Sequence, residues 1–296
     1  CIRDRYLHDS LPNATYVGFT GTPVDGTIEV FGGVVDAYTM TEAVKDGITV
    51  NLVYDGRAAK VMLNQDKVRQ IEEYYAQCEL EGANEHQIEE SQKAVAKMEV
   101  IIGDPDRLRA VAEDFIKHYE TRVAEGATVA GKAMFVCSNR NIAYDFYKIV
   151  KELRPEWTEK KICDDGVVLS EKDKKELKPM EKIKLVMTRN KDDEKDLFDM
   201  LGTKEDRKEF DRQFKNPKSN FKIAIVVDMW LTGFDVPSLS TMYVYKPMHG
   251  YNLMQAIARV NRVFKDKEGG LIVDYVGIAS ALKSAMKEYT KRDQSR

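Results

Sequence analysis

The sequence predicts an α/β fold in which a parallel sheet is covered by helices. Short β-rich segments recur along the chain, and most are nearly continuous apolar strings, as expected of strands buried on both faces. Helical patterns lie between these segments, so strand and helix alternate. The chain has 296 residues, of which 43% are apolar, and can therefore bury a sizeable core. Right-handed crossovers through the helices are the simplest way to connect such a sheet.

Two periodicities define the elements in order. Runs rich in β-branched and aromatic residues predict strands at residues 15–19, 48–54, 132–137, 183–188, 222–228, 241–245 and 271–275. Apolar residues three or four positions apart predict helices at residues 108–124, 142–153, 204–214, 252–264 and 278–289. The two sets interleave through the second half of the chain, which is the pattern of consecutive strand–helix–strand units.

One polar region interrupts this alternation. Residues 58–103 contain two long helix-forming stretches separated by EGANE and show no strand signal. They predict a helical insertion packed on the α/β body. A second charge-dense stretch, residues 170–184, mixes both signs of charge, which is typical of a surface loop or short helix rather than a phosphate-binding patch.

Composition excludes several classes of protein without indicating a function. The formal charge of −3, from 46 basic and 49 acidic residues, does not single out a nucleic-acid binder, although the surface can still be locally basic. No apolar run could span a bilayer and no signal peptide opens the chain, so we expect a cytoplasmic protein without a membrane partner. The dispersed histidines and cysteines predict no metal site. Because the first residue is Cys1, we expect a fragment of a longer protein.

A phosphate-binding loop is mimicked at residues 126–133. The sequence GATVAGKA matches GxxxxGK but has Ala133 where a Ser or Thr would hold Mg²⁺. A true P-loop follows a strand and opens a helix, so that backbone N–H groups and the helix dipole face the phosphates. Here the predicted helix precedes the loop and the strand follows it. We therefore predict a helix-to-strand connection that binds no nucleotide.

Three separated stretches are the candidates for chemistry. GFTGTP at residues 18–23 and DMWLTGFDVP at residues 228–237 each follow a predicted strand directly. The third stretch, QAIARVNR at residues 255–262, lies on a predicted helix. Ligands of open α/β sheets bind beyond the carboxyl ends of the strands, which is where we expect the first two stretches.

The helix predicted over residues 252–264 has one apolar and one polar face. At 100° per residue, the apolar stripe comprises Leu253, Ile257, Val260 and Phe264. Gln255, Arg259 and Arg262 fall on the opposite face at i, i+4, i+7 spacing. Arginines are common on the polar face of any amphipathic helix, so this face alone does not indicate a site. It becomes a candidate because the three stretches occur together in this order.

That order resembles superfamily 2 helicases. GFTGTP, KAMFVCSNR, KIAIVVDMWLTGFDVPSL and NLMQAIARVNR are similar to helicase motifs III, IV, V and VI. More narrowly, LPNATYVGFTGTP, LTGFDVPSL, YNLMQAIARVNR and GLIVDYVGI resemble the R subunit of type I restriction endonucleases. The resemblance runs from about residue 11 to residue 289. It implies a RecA-like fold and a part in an ATP-driven DNA translocase that also cuts DNA.

The resemblance implies nucleotide chemistry for the polar residues of motifs V and VI. Arg262 matches the helicase arginine finger and Arg259 the other motif VI arginine, while Gln255 would hold the cluster in register with the nucleotide. A planar fork of donors suits the oxygens of a γ-phosphoryl group. Asp235 matches the motif V acid that reaches the ribose or orients the cleft, and Gly233 lets the backbone approach the site.

Further residues match elements for DNA binding or coupling. Thr20, Gly21 and Thr22 belong to the motif III element that links nucleotide state to the DNA strand, although a simple turn also fits this sequence. Thr232, with its neighbour Gly233, would let the backbone approach a DNA phosphate or the catalytic water.

Motif IV leaves two interpretations open. Ser138, Asn139 and Arg140 match a loop that contacts backbone phosphate in related motors. The sequence SNRN is equally good N-cap chemistry for the helix that follows.

The resemblance also divides the chain. Residues 1–33 match the end of a first RecA-like motor domain, and residues 34–296 match the second, with the insertion at residues 58–103. The family's complete subunit adds a nuclease domain and a first motor domain with a P-loop and an acidic box, and these patterns are missing from this sequence. The full subunit is expected to be an ATP-hydrolysing type I site-specific deoxyribonuclease, and the chain alone to be inactive.

The implied cofactors are ATP and Mg²⁺, held mainly by the first motor domain. The implied partners are double-stranded DNA and the methyltransferase and specificity subunits of the same restriction–modification complex. Two alternatives stay open: a stand-alone superfamily 2 translocase or repair helicase without nuclease, and a non-catalytic DNA- or protein-binding module with a helicase fold. A nuclease pattern ahead of a P-loop would exclude the first, and tight, salt-dependent DNA binding without ATP would favour the second.

Overall fold

A parallel sheet of six strands forms the centre of the computed structural model. The structure describes residues 6, 9–19, 31–33, 35–36, 38–61, 69–71, 73–74, 96–283 and 286. The strands are β1 Asn51–Gly56, β2 Lys132–Cys137, β3 Ile183–Val186, β4 Ile223–Val226, β5 Leu239–Tyr245 and β6 Gly269–Asp274. Their order is β1-β6-β5-β2-β4-β3, and every neighbouring pair is parallel. The predicted α/β class is therefore confirmed.

Helices connect and flank these strands. They are α1 Met40–Lys45, α2 Pro105–Ala124, α3 Arg140–Leu153, α4 Glu171–Glu176, α5 Lys195–Leu201, α6 Lys204–Lys215 and α7 Gly250–Ile257. Short 3₁₀ helices occur at Ala58–Val61 and Pro155–Thr158, and residues 96–102 and 279–283 are also helical. Polar side chains begin several of them: Asp104 accepts from the first turn of α2, and Thr203 forms a capping box with Asp206 in α6.

The core follows the predicted apolar runs. Strands β2, β3, β4 and β5 are buried along their whole length, as expected of a sheet covered on both faces. Strand β1 differs because it lies at an edge of the sheet, where Val53 and Tyr54 are exposed. Apolar content alone therefore overstated the burial of β1.

An aromatic cluster packs α2 and α3 onto the centre of the sheet. The ring of Phe115 in α2 lies 5.2 Å from Phe135 in β2 and 4.7 Å from Tyr243 in β5. Phe135 also stacks on Phe146 of α3, with ring centroids 3.8 Å apart. Such pairs contribute about 0.5–1.5 kcal/mol each beyond the area they bury. The two helices are thus fixed over neighbouring strands.

The strand predicted at residues 15–19 is absent. These residues are coil, and Val17 and Phe19 are exposed, at 67% and 95%. A β-rich sequence needs a hydrogen-bonded neighbour to become a strand, and no strand in the described part of the chain lies beside this segment. The prediction that GFTGTP follows a strand is therefore wrong for this structure.

The helix predicted over residues 252–264 is shorter than its pattern. Helix α7 ends at Ile257, and the next residues form a turn in which Arg259 and Val260 donate to carbonyls three residues earlier. The chain then runs beside the lead-in to β1, where Val50 donates to the carbonyl of Asn261 at 2.9 Å. Pairing with this extended segment competes with another helical turn and ends the helix.

The two charged regions have different outcomes. Helix α4 lies within residues 170–184 and has no buried residue, which confirms a short surface helix there. Much of the predicted insertion at residues 58–103 lies outside the described residues, as do parts of the helix predicted at residues 278–289. No helix among the described residues is long and apolar enough to cross a membrane.

Candidate functional site

The P-loop-like sequence forms an ordinary connection from α2 to β2. The side chain of Lys132, which would face phosphate in a true P-loop, is fully buried and donates to the carbonyl of Phe221. Its pKa is lowered by burial and by nearby Lys222. The loop is tied to the preceding helix, since Tyr119 of α2 donates to the carbonyl of Gly131 at 2.8 Å. The predicted helix-to-strand connection is confirmed.

The segment between β4 and β5 folds around a stacked aromatic pair. The rings of Trp230 and Phe234 lie 4.1 Å apart with an interplanar angle of 8°, and both side chains are buried. Trp230 has φ 69°, a left-handed conformation that a bulky residue adopts only when its surroundings hold it there. With both rings directed inward, Thr232, Gly233 and Asp235 remain exposed on the outside of the loop.

Arg259 reaches this loop from the turn after α7. Its Nη1 donates to the carbonyl of Phe234 at 2.8 Å, and its Nε donates to the carbonyl of Gln255 at 3.2 Å. Burial and the neighbouring Arg262 guanidinium lower the pKa of Arg259, while Asp235 raises it. Arginine stays charged in proteins despite such shifts, so two positive groups lie close together beside one carboxylate.

Arg262 meets the same loop at the surface. Its Nε lies 3.2 Å from Asp235 Oδ1, and the two side chains are 46% and 60% exposed. An exposed ion pair of this kind contributes at most about 1 kcal/mol. Among the described residues, no partner holds the two terminal nitrogens of Arg262. The guanidinium can therefore exchange Asp235 for another anion.

Extended backbone on the other side fixes this segment. Thr49 forms an antiparallel bridge with Arg262, and Val50 donates to the carbonyl of Asn261. The two arginines therefore do not lie on one helical face, as predicted. They come together because the chain leaves the helix at Ile257 and is held between two neighbouring segments.

Two further residues, Lys267 and Gly270, complete the arrangement. Lys267 is buried and donates its amine to the carbonyls of Arg262 at 2.9 Å and Leu239 at 2.7 Å. Gly270 leaves room for Val260, because an added Cβ would lie 2.2 Å from the Val260 carbonyl oxygen. No motif marks either residue, and the charged sequence FKDKEGG around Lys267 favours a solvated side chain.

The arginine cluster lies at the amino ends of the strands. Arg262 is bridged to Thr49, two residues before β1 begins. Strands β4 and β5 are both parallel to β2, so a connection that leaves the carboxyl end of β4 must return to the amino end of β5. Asp228 stays at the carboxyl edge and forms an ion pair with Lys246. Asp235 lies with Arg262 at the opposite edge, so the prediction that residues 228–237 lie beyond the carboxyl ends of the strands is wrong for Asp235.

The motif IV residues lie at the carboxyl edge, after β2. Asn139 caps α3, its side chain accepting a backbone hydrogen bond at 3.0 Å. Arg140 is bound to Asp193, with Nη2 2.6 Å from Oδ2. The hydroxyl of Ser138 is buried and makes no hydrogen bond to any described residue. The structure thus establishes the cap for Asn139, while phosphate binding by this loop stays a prediction.

The structure brings together part of the predicted set. Arg259, Arg262 and Asp235 lie together, and the backbone carbonyl of Gln255 accepts a hydrogen bond from Arg259. Gly233 is in the same loop as Asp235 and has φ 68°, a conformation that favours glycine. The motif III residues lie outside the described part of the chain: Thr20, Gly21 and Thr22.

The arginine cluster suits an anion with several oxygens. Arg262 presents a planar fork of N–H donors that matches phosphate geometry. Two guanidinium groups against one carboxylate leave an excess of positive charge. The described residues contain no group of three or more His, Cys, Asp or Glu side chains able to hold a metal ion. This chemistry fits the phosphate tail of a nucleotide.

A solved structure has a similar fold. It is described as "The fragment structure of a putative HsdR subunit of a type I restriction enzyme from Vibrio vulnificus YJ016", with a TM-score of 0.53 and 13% sequence identity over 90% of this chain and 40% of that chain. The parallel sheet, its flanking helices and this likeness define a RecA-like fold.

Family comparisons are more specific. A family model for type I restriction enzyme subunit R domain 3 matches residues 129–277, and a model for the SWI2/SNF2 ATPase matches residues 3–89. The type I restriction enzyme HindI endonuclease subunit of Haemophilus influenzae is 41% identical over 293 residues, covering 97% of this chain and 25% of that protein. The chain belongs to the type I restriction enzyme R subunit family. It spans about a quarter of the length of the curated relatives it matches.

Proposed function

We propose that this chain supplies the second motor domain of an ATP-dependent DNA translocase within a type I restriction enzyme R subunit. The observation that carries the proposal is the exposed guanidinium of Arg262 beside Asp235. The backbone of Arg262 is held in place by its bridge to Thr49. In the complete enzyme, translocation would precede cleavage of DNA. That enzyme would be a type I site-specific deoxyribonuclease.

Arg262 would act as the arginine finger on the γ-phosphoryl group of ATP. Supplying the charge from a second domain makes hydrolysis depend on closure of the two domains, because the guanidinium is absent from the site until they meet. Arg259, half-buried and bonded to the Phe234 carbonyl, would hold the loop with Gln255. Asp235 would release Arg262 and turn towards the ribose or the cleft.

ATP and Mg²⁺ would be held mainly by a first motor domain. When bound, Mg²⁺ would neutralise the β- and γ-phosphate oxygens. In this chain, residues 1–33 would be the end of that first domain and residues 34–296 the second, with the insertion at residues 58–103. Thr20, Gly21 and Thr22 would couple the nucleotide state to DNA.

Double-stranded DNA would lie against two loops of this domain. Ser138, Asn139 and Arg140 at the carboxyl edge, and Thr232 with Gly233 on the loop after β4, are the proposed contacts with backbone phosphate. The methyltransferase and specificity subunits of the same complex would be the protein partners, and the cytoplasm the place of action. Support comes from the family, whose relatives are named type I restriction enzyme endonuclease subunits.

Replacing Arg262 tests the proposal in a complete R subunit that carries this sequence. We expect Arg262→Ala to lower DNA-stimulated ATP turnover by about 10³-fold or more and to abolish translocation, since an arginine finger contributes about 10³–10⁵ to the rate. Binding of DNA and of nucleotide should stay largely intact. Arg262→Lys should also be impaired, because an ammonium group is a point charge without the planar fork.

Arg109→Ala is the matched control. Arg109 is 45% exposed and pairs with Glu152 at 2.9 Å and with Glu113 at 3.4 Å, so the substitution removes an equally exposed guanidinium and its ion pairs from α2. We expect normal ATP turnover in this variant. Normal turnover in Arg262→Ala as well would refute the proposed finger.

A further inference from the structure

We propose that Lys267 is a positioning residue for the arginine cluster, whose ammonium group fixes the backbone of Arg262 against the loop that carries Asp235. This inference rests on the proposed function and extends it to a residue outside the helicase-like motifs. Lys267 would touch neither nucleotide nor DNA and would act through Arg262.

The amine of Lys267 is shared among three carbonyl oxygens. It donates to Leu239 at 2.7 Å, to Arg262 at 2.9 Å and to Pro237 at 3.3 Å. A lysine ammonium has three N–H donors, so these contacts use its full capacity. The residue is only 7% exposed.

These carbonyls lie on both sides of the ion pair. One belongs to Arg262 itself, and another to Pro237, two residues beyond Asp235. The Arg262–Asp235 pair is exposed and cannot set its own geometry, because such pairs contribute so little free energy. A single buried cation that joins the two backbones fixes their separation whether or not the ion pair is formed.

The burial of this charge favours a geometric role over a stabilising one. No carboxylate of the described residues forms an ion pair with Lys267. Burial lowers the pKa of Lys267 to about 8, which means that the folded chain disfavours the charge it nevertheless carries at neutral pH. A neutral apolar side chain of similar length would avoid this penalty but could not hold three carbonyls together.

The test uses Lys267→Met in a complete R subunit carrying this sequence. Methionine keeps the length of the side chain and removes all three donors. We expect kcat for DNA-stimulated ATP hydrolysis to fall by about 10-fold to 100-fold, the effect of misplacing a catalytic group by about 1 Å. KM for ATP and DNA affinity should change by less than about threefold, since binding groups elsewhere are untouched.

Lys265→Met is the matched control. Lys265 is in the same loop, two residues earlier, and its side chain is exposed. The substitution removes the same charge at nearly the same place, so an effect of net charge on DNA binding would occur in both variants. We expect normal kcat in Lys265→Met.

A double-mutant cycle tests whether Lys267 affects turnover through Arg262 or independently of it. If Lys267 acts through Arg262, adding Lys267→Met to Arg262→Ala should lower turnover no further, whereas independent effects would multiply. A kcat unchanged in Lys267→Met, or multiplication in the double variant, overturns the inference. Should Lys267→Met be unfolded at the assay temperature, Lys267→Gln, which keeps two donors, replaces it, and unfolding of both would show a role in folding and overturn the inference too.

The two proposals fail in different ways. Loss of turnover in Arg262→Ala together with normal kcat in Lys267→Met overturns only the role of Lys267. Normal turnover in Arg262→Ala overturns the proposed function itself, whatever Lys267→Met does.

Discussion

At the scale of single residues, the two arginines differ in burial and in what their guanidinium groups contact. Arg259 is half-buried and bonded to the carbonyl of Phe234, so its guanidinium belongs to the fold. Arg262 is exposed and pairs with an exposed carboxylate, so its guanidinium is available to a ligand. One arginine holds the loop, and the other is presented by it. The position of the second then depends on backbone contacts, at Thr49 and around Val260.

Gly270→Ala tests that dependence on the backbone. A Cβ at this position would lie 2.2 Å from the carbonyl oxygen of Val260, so the segment leading to Arg262 must shift. We expect a loss of about 1–3 kcal/mol in the free energy of unfolding, typical of overpacking. Denaturant unfolding of the purified chain measures it. Gly33→Ala is the control, since no described atom outside its two chain neighbours lies within 4 Å of its added Cβ. Equal stability of the two variants would contradict the expected clash.

At the scale of elements, hydrophobic pattern predicted the buried strands and missed what depends on neighbours. Strand β2 agrees with its predicted limits because a run buried on both faces is apolar throughout. Residues 15–19 have the same local character but are coil, since strand formation needs a partner that local sequence does not encode. The hydrophobic pattern thus indicates that a segment favours the strand conformation, but a strand forms only where a neighbouring strand pairs with it.

The candidate site shows the same division. Sequence order singled out Arg259, Arg262 and Asp235, and the structure brings all three together. The helical wheel gave the wrong reason, because α7 ends at Ile257 and both arginines lie beyond it. Lys267 could not be predicted, since its partners are backbone carbonyls, which every residue possesses and no motif records.

The packing of α2 on the sheet should be sensitive to acid through His118. Its Nδ1 lies 2.9 Å from the hydroxyl of Tyr243 in β5, and its side chain is 10% exposed. Burial and the charges of Arg57 and Arg122 lower the pKa of His118 to about 4. The nearby carboxylates raise this pKa, but by a smaller amount. The folded chain therefore resists protonating this ring.

The sign of the effect follows from linkage. Between about pH 6.5 and pH 4 the unfolded chain takes up a proton at His118 that the folded chain does not, so stability falls as pH falls through this window. We expect His118→Gln to abolish this part of the pH dependence, at most about 3 kcal/mol. Chemical denaturation of both proteins at several pH values measures the difference. Parallel stability curves for the two proteins would contradict a titrating His118.

At the scale of the whole molecule, the two edges of the sheet carry different candidate surfaces. The motif IV residues follow the carboxyl end of β2, and the arginine cluster lies by the amino ends of β1 and β5. A strand of six residues such as β2 separates these edges by about 20 Å. The proposed DNA contacts at motif IV therefore lie on a different surface from the arginine cluster, with the buried sheet between them, whereas Thr232 and Gly233 share the loop of Asp235.

The chain studied alone should not hydrolyse ATP, because in the proposed function the arginine cluster would only supply charge to a nucleotide that a first motor domain holds. The β- and γ-phosphates and Mg²⁺ need a P-loop, and the GxxxxGK match in this sequence ends in a lysine that is fully buried. We expect phosphate release by the purified chain, with saturating ATP and DNA, to equal the protein-free background and to be unchanged in Arg262→Ala. A complete R subunit serves as the positive control. DNA-stimulated turnover by the chain alone that disappears in Arg262→Ala would show instead that these residues build a whole active site.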